Sequence, residues 1–323
     1  MNVLEVEHLT KDYGSGRGVF DVSFAVKEGE VFGFLGPNGA GKSTTIRHIM
    51  GFSKPDSGKT MIFGKDSFNH YYEILNRVGY IPGEIALPAG LTGYEFLKMM
   101  QDLQHIHNQE MLDKMLDLFK LEPNVLKGET KRMSLGAKRK LAVVTAFMSD
   151  PDVLILDEPT SGLDPVMQEV FIKFIEEEKN RGKTILLSSH IFSEVDATCD
   201  RIGIIKDGKI VSEFNANDLK HASIKTYRLT FINKDEYLKF ANNYSAKKYE
   251  NIINVLEYNE EKNRVLVSVD DKNINKFISI VSEYSLDEFS NRKETLEDYF
   301  MKFYKEDKDF KHYNEYYWNK KFN

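Results

Sequence analysis

Residues 36–44 combine glycines with a lysine, a serine and a threonine, and they fit the pattern G-x-x-x-x-G-K-[ST]. Glycines let consecutive backbone N–H groups turn inward around phosphate oxygens, and the lysine supplies a point charge to the β- and γ-phosphates. The serine hydroxyl can ligate Mg²⁺. This stretch, the phosphate loop, therefore predicts a nucleotide and magnesium site formed by Gly36, Asn38, Gly39, Gly41, Lys42, Ser43 and Thr44.

Two adjacent acids follow an apolar run, 153–156, that predicts a buried strand. Such a strand delivers Asp157 to its carboxyl end, where it can hold Mg²⁺, and places Glu158 one step beyond, suited to orienting or deprotonating a water. On its own, the run is equally compatible with a strand that ends in a charged turn. His190 follows another β-prone run, 184–187; alone it is typical of a surface histidine, but at the same sheet edge it can donate to a γ-phosphate.

Short apolar strands alternate with helical segments over the first two-thirds of the chain, which is typical of an α/β domain with a largely parallel sheet. The run 31–35 predicts a strand before the phosphate loop, and Asp207 with Gly208 predicts a hairpin turn within 201–214. From about 84 to 140 the pattern instead indicates helices, at 92–103, 109–119 and 134–148. We expect one domain over 1–218, with a helical insertion at about 84–140.

Beyond 218 the composition shifts toward Asn, Lys, Glu and Tyr. The predicted order is strand, helix, strand, strand, helix, strand and a last helix, at 225–231, 235–243, 252–258, 264–269, 273–283, 286–291 and from 295. This order is that of the split βαβ (ferredoxin-like) arrangement, with a less regular α+β unit as the alternative. We expect a small α+β accessory domain over 219–305. The aromatic and basic tail, 306–323, predicts a short helix packed on its own domain or a frayed end, with membrane-interface contact as the alternative.

In the order and spacing of these motifs, residues 4–214 resemble the ATP-binding subunit of ATP-binding-cassette (ABC) transporters. The most diagnostic element is the segment 133–137, Met-Ser-Leu-Gly-Ala, which stands where the family has its Leu-Ser-Gly-Gly-Gln signature. The resemblance implies a P-loop NTPase fold with a mixed sheet and hydrolysis of ATP with Mg²⁺. It also implies that Glu158 is the catalytic carboxylate and that His190 stabilises the γ-phosphate.

The resemblance further implies a head-to-tail dimer, with a second copy or with a related ATPase subunit. Ser134 and Gly136 are then expected to contact the γ-phosphate held by the other subunit, although without the resemblance Ser134 predicts only a helix N-cap. The segment 161–164, which includes Asp164, is similar to the family's D-loop, which crosses between subunits. Tyr13 falls where the family keeps an aromatic that stacks on adenine; an ordinary surface or core tyrosine is the alternative.

The chain departs from the family pattern at several positions. Gly83 occupies the usual glutamine position of the Q-loop, and we expect Glu84 to take over part of that role toward Mg²⁺ and the membrane partner. In the signature segment, Leu135 replaces the first glycine and Ala137 the glutamine. A Ser-Leu-Gly variant resembles the branch that exports drugs, bacitracin and lantibiotics.

Composition and charge limit the remaining classes. The 323 residues carry a net charge of −6, which gives no global reason to expect a nucleic-acid partner, and the single cysteine, Cys199, suits a reducing compartment. No apolar run reaches the length of a membrane span. We therefore expect a peripheral subunit on the cytoplasmic face of the membrane that powers an exporter through a separate permease. An importer subunit is the first alternative, and a soluble ABC ATPase acting on ribosomes or DNA is the second.

Overall fold

The computed structural model describes residues 1–220, 224–249, 251–292, 295–301 and 303. The chain divides into two compact units, of which the first is Met1–Ala216 and the second begins at Asn217. This division lies close to 218, where the first domain was expected to end. The predicted tail, 306–323, lies outside the described residues. In the described ranges, every helix is too short or too polar to cross a lipid bilayer.

The first unit contains both strands and helices. Its strands are β1 (Asn2–Asp12), β2 (Gly18–Lys27), β3 (Val31–Leu35), β4 (Ser57–Ile62), β5 (Lys65–Asp66), β6 (Val78–Ile81), β7 (Val153–Asp157), β8 (Thr184–Ser189), β9 (Arg201–Lys206) and β10 (Lys209–Asn215). Its helices are α1 (Lys42–Ile49), α2 (Tyr71–Ile74), α3 (Gly93–Gln104), α4 (Gln109–Leu118), α5 (Pro123–Leu126), α6 (Leu135–Phe147), α7 (Pro165–Asn180) and α8 (Phe192–Thr198), and α9 (Ala216–Lys220) lies at the boundary.

A six-stranded sheet forms the centre of the first unit, in the order β10-β9-β3-β8-β7-β6. All neighbours run parallel except β9 and β10, which form the predicted hairpin. Every residue of β3, β7 and β8 is buried, as expected for a parallel sheet covered on both faces. In the register, Leu35 pairs with Ser189 and Asp157 pairs with Ser188, so these three strands end at one edge. That edge positions the predicted chemistry.

A second sheet, antiparallel and four-stranded, has the order β2-β1-β4-β5. The sequence patterns above predict none of these strands. In β2 buried and exposed residues largely alternate, and the buried Phe24 stacks on Phe32 of β3 with 5.0 Å between ring centroids. Because Phe24 also lies 5.2 Å from the ring of Phe34, this strand packs across the central sheet just before the phosphate loop.

The segment between β6 and β7 is helical, as predicted. Helices α3, α4 and α6 match the predicted 92–103, 109–119 and 134–148 to within one residue at each end, whereas the short α5 was not predicted. Thr92 and Glu95 form a capping box at the start of α3, which satisfies two of the backbone donors left free at that end. A side-chain cap from Ser134 likewise begins α6.

The second unit has strands β11 (Ile224–Phe231), β12 (Asn254–Asn259), β13 (Arg264–Asp270) and β14 (Leu286–Arg292), and helices α10 (Lys234–Ser245), α11 (Ile274–Val281) and α12 (Leu296–Met301). Its sheet has the order β12-β13-β11-β14, with every neighbouring pair antiparallel. Each element lies within two residues of the predicted position. Of the two alternatives above, the described elements follow the split βαβ arrangement.

Candidate functional site

The phosphate loop joins the end of β3 to the start of α1. Gly39 and Gly41 adopt positive φ angles of 82° and 111°, a backbone region that residues with a side chain rarely occupy. A Cβ on Gly41 would also lie 2.8 Å from Cγ1 of Val19, and one on Gly36 would lie 2.6 Å from the carbonyl oxygen of Ile205. The loop conformation therefore requires glycine at these positions, and it presents the N-terminus of α1 to the sheet edge.

Lys42 is the cation at the start of α1, and only 4% of the residue is exposed. Its Nζ donates to the carbonyl oxygens of Gly36, at 2.7 Å, and Pro37, at 3.2 Å. The same Nζ lies 3.3 Å from Oε1 of Glu158. Burial lowers the pKa of the ammonium, and the nearby carboxylate of Glu158 opposes that shift. Lys42 is thus already aimed into the loop, where phosphate oxygens would replace the carbonyls as acceptors.

Asp157 ends β7 and is 2% exposed. Its Oδ1 accepts a hydrogen bond from the Ser188 hydroxyl of the neighbouring strand β8. Ser43, which follows Lys42, is exposed at the start of α1. A carboxylate and a hydroxyl are both oxygen ligands of the kind that Mg²⁺ takes together with phosphate oxygens and water, so the residues present fit the expected ion. The described residues contain no cluster of three or more His, Cys, Asp or Glu able to hold a metal.

Glu158 lies between two other groups of the predicted site. One carboxylate oxygen is 3.3 Å from Lys42, and the other is 3.4 Å from Nδ1 of His190, whose side chain is 46% exposed. The Glu158 N–H donates to the carbonyl of Ser188 at 3.0 Å, and its φ of 47° lies in the left-handed region. Because a non-glycine residue in that region is uncommon, the backbone turn here is set by its surroundings and directs the carboxylate to the sheet edge.

The structure adds residues that the sequence patterns do not predict. Glu194 of α8 is 1% exposed; its Oε2 accepts a hydrogen bond of 2.6 Å from Ser189, which in turn accepts the N–H of Ile191. Burial raises the pKa of Glu194 to about 7, partly offset by hydrogen bonds from Ser189 and Thr160. These contacts hold the turn that carries His190. The sequence indicates this role only through an acid that lies shortly after a strand ending in Ser-Ser and followed by His190.

The signature segment lies at the start of α6. The Ser134 hydroxyl accepts the N–H of Ala137 at 3.2 Å, and no described hydrogen bond joins it to the phosphate loop of the same chain. Leu135 is 62% exposed, and its side chain covers Gly162, where a Cβ would lie 3.0 Å from the leucine Cγ. A Cβ on Gly136 would lie 3.2 Å from the Gly162 carbonyl. The signature segment therefore packs on the segment 161–164 and presents Ser134 outward.

Three further predicted residues, Asp164, Tyr13 and Glu84, are exposed. Asp164 caps α7, accepting the N–H of Met167 at 3.0 Å, and is exposed. Tyr13 follows β1, is 56% exposed, and has the Lys11 ammonium 5.9 Å from its ring centre. Glu84 is exposed, whereas its neighbour Gly83 lies against Asp157: a Cβ on Gly83 would be 2.9 Å from Oδ2 of that carboxylate. The roles expected for Asp164, Tyr13 and Glu84 stay predictions.

Comparison with known proteins gives concordant matches. A family model described as ABC transporter matches residues 19–161. The bacitracin transport ATP-binding protein BcrA of Bacillus licheniformis is 40% identical over 228 residues, which cover 69% of this chain and 73% of BcrA. The uncharacterized ABC transporter ATP-binding protein YcbN of Bacillus subtilis is 30% identical over 301 residues, which cover 93% of this chain and 96% of YcbN. The YcbN match therefore extends into the second unit.

Solved structures match about two thirds of the chain. The structure of an ATP-binding subunit of an ABC transporter superposes with a TM-score of 0.61 at 32% identity, covering 68% of this chain and 92% of that one. The dimeric cassette MJ0796 superposes with a TM-score of 0.60 at 22% identity, covering 66% of this chain and 98% of that one. The second likeness bears on the fold alone.

Proposed function

This chain belongs to the ATP-binding subunits of ABC transporters and is an ABC ATPase, and we propose that it drives export of drugs or antimicrobial peptides through a separate membrane permease. The observation that supports the chemistry best is the convergence of Lys42, Asp157, Glu158 and His190 at one edge of the central sheet. Strands β3, β7 and β8 each deliver part of this set, so the site depends on the parallel register rather than on any single motif.

Binding of ATP is proposed to begin with an exchange of partners at Lys42. Its ammonium leaves the carbonyls of Gly36 and Pro37 for phosphate oxygens, while the loop N–H groups and the N-terminus of α1 face the same phosphates. Ser43 and Asp157 would hold a magnesium ion there, which would supply positive charge to offset that of the phosphates. Tyr13 is proposed to stack on adenine, because its ring is exposed at the end of β1.

Hydrolysis transfers the γ-phosphoryl group to water. The water oxygen forms a bond to the γ-phosphorus, the bond to the β,γ-bridging oxygen breaks, and ADP leaves with the electron pair of that bond. Glu158 accepts the water proton, and His190 donates a hydrogen bond to a γ-phosphate oxygen. Such catalysis consists mostly of positioning and charge stabilisation. The contact between Glu158 and His190 therefore supports a role for Glu158 as proton acceptor and for His190 as hydrogen-bond donor.

A second cassette is proposed to complete each site. Ser134 and Gly136 lie at the start of α6, where the helix N-terminus favours an anion, and Ser134 is exposed. In a head-to-tail pair, the signature segment of one copy closes on the γ-phosphate bound by the other, with Asp164 near the crossing. A related ATPase subunit in place of the second copy would use the same surfaces.

The direction of transport and the permease are proposed from the similarity to BcrA and from the Ser-Leu-Gly variant of the signature segment. The chain then works as a peripheral subunit on the cytoplasmic face, with the permease docked on the helical insertion and the turn at 83–84. The second unit is proposed to support the dimer or the assembly structurally. An importer subunit is the alternative that the direction experiment below tests.

Two measurements test the proposal. In the first, phosphate release from Mg²⁺–ATP is measured over a range of chain concentrations; we expect specific activity to rise with concentration, because two copies form each site. Activity independent of concentration would contradict the composite site. In the second, accumulation of a labelled bacitracin-type peptide is compared in host cells with the wild-type gene and with Glu158→Gln. Export predicts higher accumulation in the variant, and an importer predicts lower accumulation.

A further inference from the structure

Arg139 of α6 holds two separate loops through one guanidinium group. It is 3% exposed, and its Nη1 and Nη2 donate to the carbonyl oxygens of Pro82 and Gly83, each at 2.8 Å. Its Nε donates to the carbonyl oxygen of Ser161, also at 2.8 Å. The planar fork of arginine suits acceptors on both sides, an arrangement that the single ammonium of lysine does not reproduce.

Each of these loops lies directly beside one of the predicted reaction-centre carboxylates. Gly83 lies against Asp157, since a Cβ there would be 2.9 Å from the Asp157 Oδ2. Ser161 donates its N–H to the carbonyl of Glu158 at 3.1 Å. Arg139 therefore binds residues that themselves contact Asp157 and Glu158.

The charge of Arg139 also faces these carboxylates. Burial lowers the pKa of the guanidinium, while the charges of Glu158 and Asp157 oppose that shift. Its hydrogen-bond partners described above are carbonyl groups, and the carboxylates of Glu158 and Asp157 supply charge compensation that acts on it. A buried cation without such compensation would be strongly unfavourable.

The same helix carries the outward-facing residue of the signature segment. Ser134 caps α6 and Arg139 follows after five residues, about 7.5 Å along the helix axis. Leu135 between them packs on Gly162, next to Ser161. The first turns of α6 therefore contact both loops, through Leu135 and through Arg139.

We propose that Arg139 is a positioning residue that couples contact of Ser134 with a second copy's nucleotide to the placement of Asp157 and Glu158 in its own site. This inference rests on the proposed function, because it assumes that Ser134 meets a nucleotide in the second copy. The guanidinium of Arg139 donates to backbone carbonyls, so we do not assign it a contact with substrate or ion. Its loss therefore affects the turnover step more than it affects the binding of ATP.

The test compares Arg139→Met, Arg139→Lys and the control Arg77→Met in the full chain. Arg77 is 55% exposed and pairs with Asp152, away from the site. We expect kcat to fall about 30-fold in Arg139→Met and about 10-fold in Arg139→Lys, with the Kd for ATP changed less than about threefold. Arg77→Met is expected to keep the wild-type kcat. If Arg139→Met does not fold, Arg139→Lys carries the same comparison, because it keeps the charge and loses the fork.

Amide hydrogen exchange supplies a readout that a merely structural role would not move. In wild type, a non-hydrolysable ATP analogue is expected to protect both 82–84 and 160–163; in Arg139→Lys, only one of the two segments is protected. Retention of kcat within threefold in both Arg139 variants, recovery of wild-type kcat by lysine, or joint protection in Arg139→Lys would overturn the proposal. If the wild type fails to bind or hydrolyse ATP, the proposed function fails. Hydrogen exchange without nucleotide then still shows whether both loops exchange faster in the Arg139 variant. Unchanged exchange would show that Arg139 does not hold the two loops, and it would overturn the inference.

Discussion

Lys42 and Glu158 form an ion pair across the phosphate loop, with 3.3 Å between Nζ and Oε1. The lysine comes from the start of α1 and the glutamate from the turn after β7, so the pair joins the two halves of the predicted site. Since the second carboxylate oxygen of Glu158 faces His190, we expect bound ATP to draw the Lys42 ammonium toward its phosphates while Glu158 keeps its contact with His190.

Replacement of the lysine should remove the response to nucleotide. Lys42→Met deletes the ammonium that meets the phosphates, so ATP should no longer raise the midpoint of thermal unfolding. For wild type, a ligand at 100 times its Kd stabilises by about 2.7 kcal/mol, which is readily detected. The exposed Lys173→Met of α7 serves as the control and should keep the wild-type shift. An equal ATP-dependent shift in Lys42→Met would remove Lys42 from the site.

Glu158→Gln should bind ATP and accumulate as a stable dimer with greatly reduced turnover. The amide keeps the size of the side chain but does not accept the water proton, so the γ-phosphate that both copies contact is retained. Light scattering after gel filtration with Mg²⁺–ATP measures the dimer, and phosphate release measures the turnover. Glu176→Gln, an exposed site on α7, is the matched control. Wild-type turnover in Glu158→Gln would exclude this residue as the catalytic base.

Ser134→Arg should lower ATPase activity by at least about tenfold while preserving ATP affinity, since the exposed Ser134 is proposed to contact the nucleotide of the second copy and not its own. Loss of the N-cap on α6 costs about 1 kcal/mol of stability, which is too little to unfold the chain. The exposed Ser279→Arg in the second unit provides a control for the added charge. Gel filtration with Mg²⁺–ATP is the second readout. A monomer at every concentration, in wild type as in the variant, would contradict the two-copy site.

Glu194 should make stability depend on pH. Its pKa rises from 4.5 to about 7 on folding. Between these pH values the Glu194 carboxyl is therefore ionised in the unfolded chain and protonated in the folded one. The free energy of unfolding therefore falls as the pH rises through this window, by on the order of 3 kcal/mol, and is unaffected by Glu194 below it. Glu194→Gln removes this dependence. Its free energy of unfolding in urea, relative to that of wild type, should therefore increase between pH 5 and pH 7.5. The exposed Glu169→Gln should follow wild type. Parallel pH profiles for Glu194→Gln and wild type would refute the prediction.

Tyr13 should contribute to recognition of the base and not of the phosphates. Removal of a stacking ring costs about 1–3 kcal/mol, so Tyr13→Ala should weaken ATP binding about tenfold or more. Tyr13→Phe keeps the ring and should bind as wild type does. Inorganic tripolyphosphate, which lacks the base, separates the two contributions by calorimetry: its affinity should be the same in all three proteins. A parallel loss for tripolyphosphate in Tyr13→Ala would indicate a general disturbance of the loop.

Several features were predictable because they depend on residues that are near each other in sequence. The phosphate loop, the acids after 153–156 and the turn at Asp207 and Gly208 each carry their own local pattern. The helices of the insertion and the elements of the second unit were equally predictable, because their apolar periodicity and caps lie within single segments. The strands β1, β2 and β4 were not predicted. Although β1 and β2 are neighbours in sequence, β4 joins them from a distant segment, and the burial of Phe24 in β2 depends on contact with β3.

Residue types and spacing by themselves determined that this chain has a phosphate loop and two acids suited to phosphoryl transfer. Tertiary structure alone decided that Glu158 faces both Lys42 and His190, that Glu194 holds the turn of His190, and that Arg139 joins Pro82, Gly83 and Ser161. The physical reason is that a hydrogen bond or ion pair depends on distances of a few ångströms. Such distances between remote segments are set by sheet register and helix packing, which no single segment encodes.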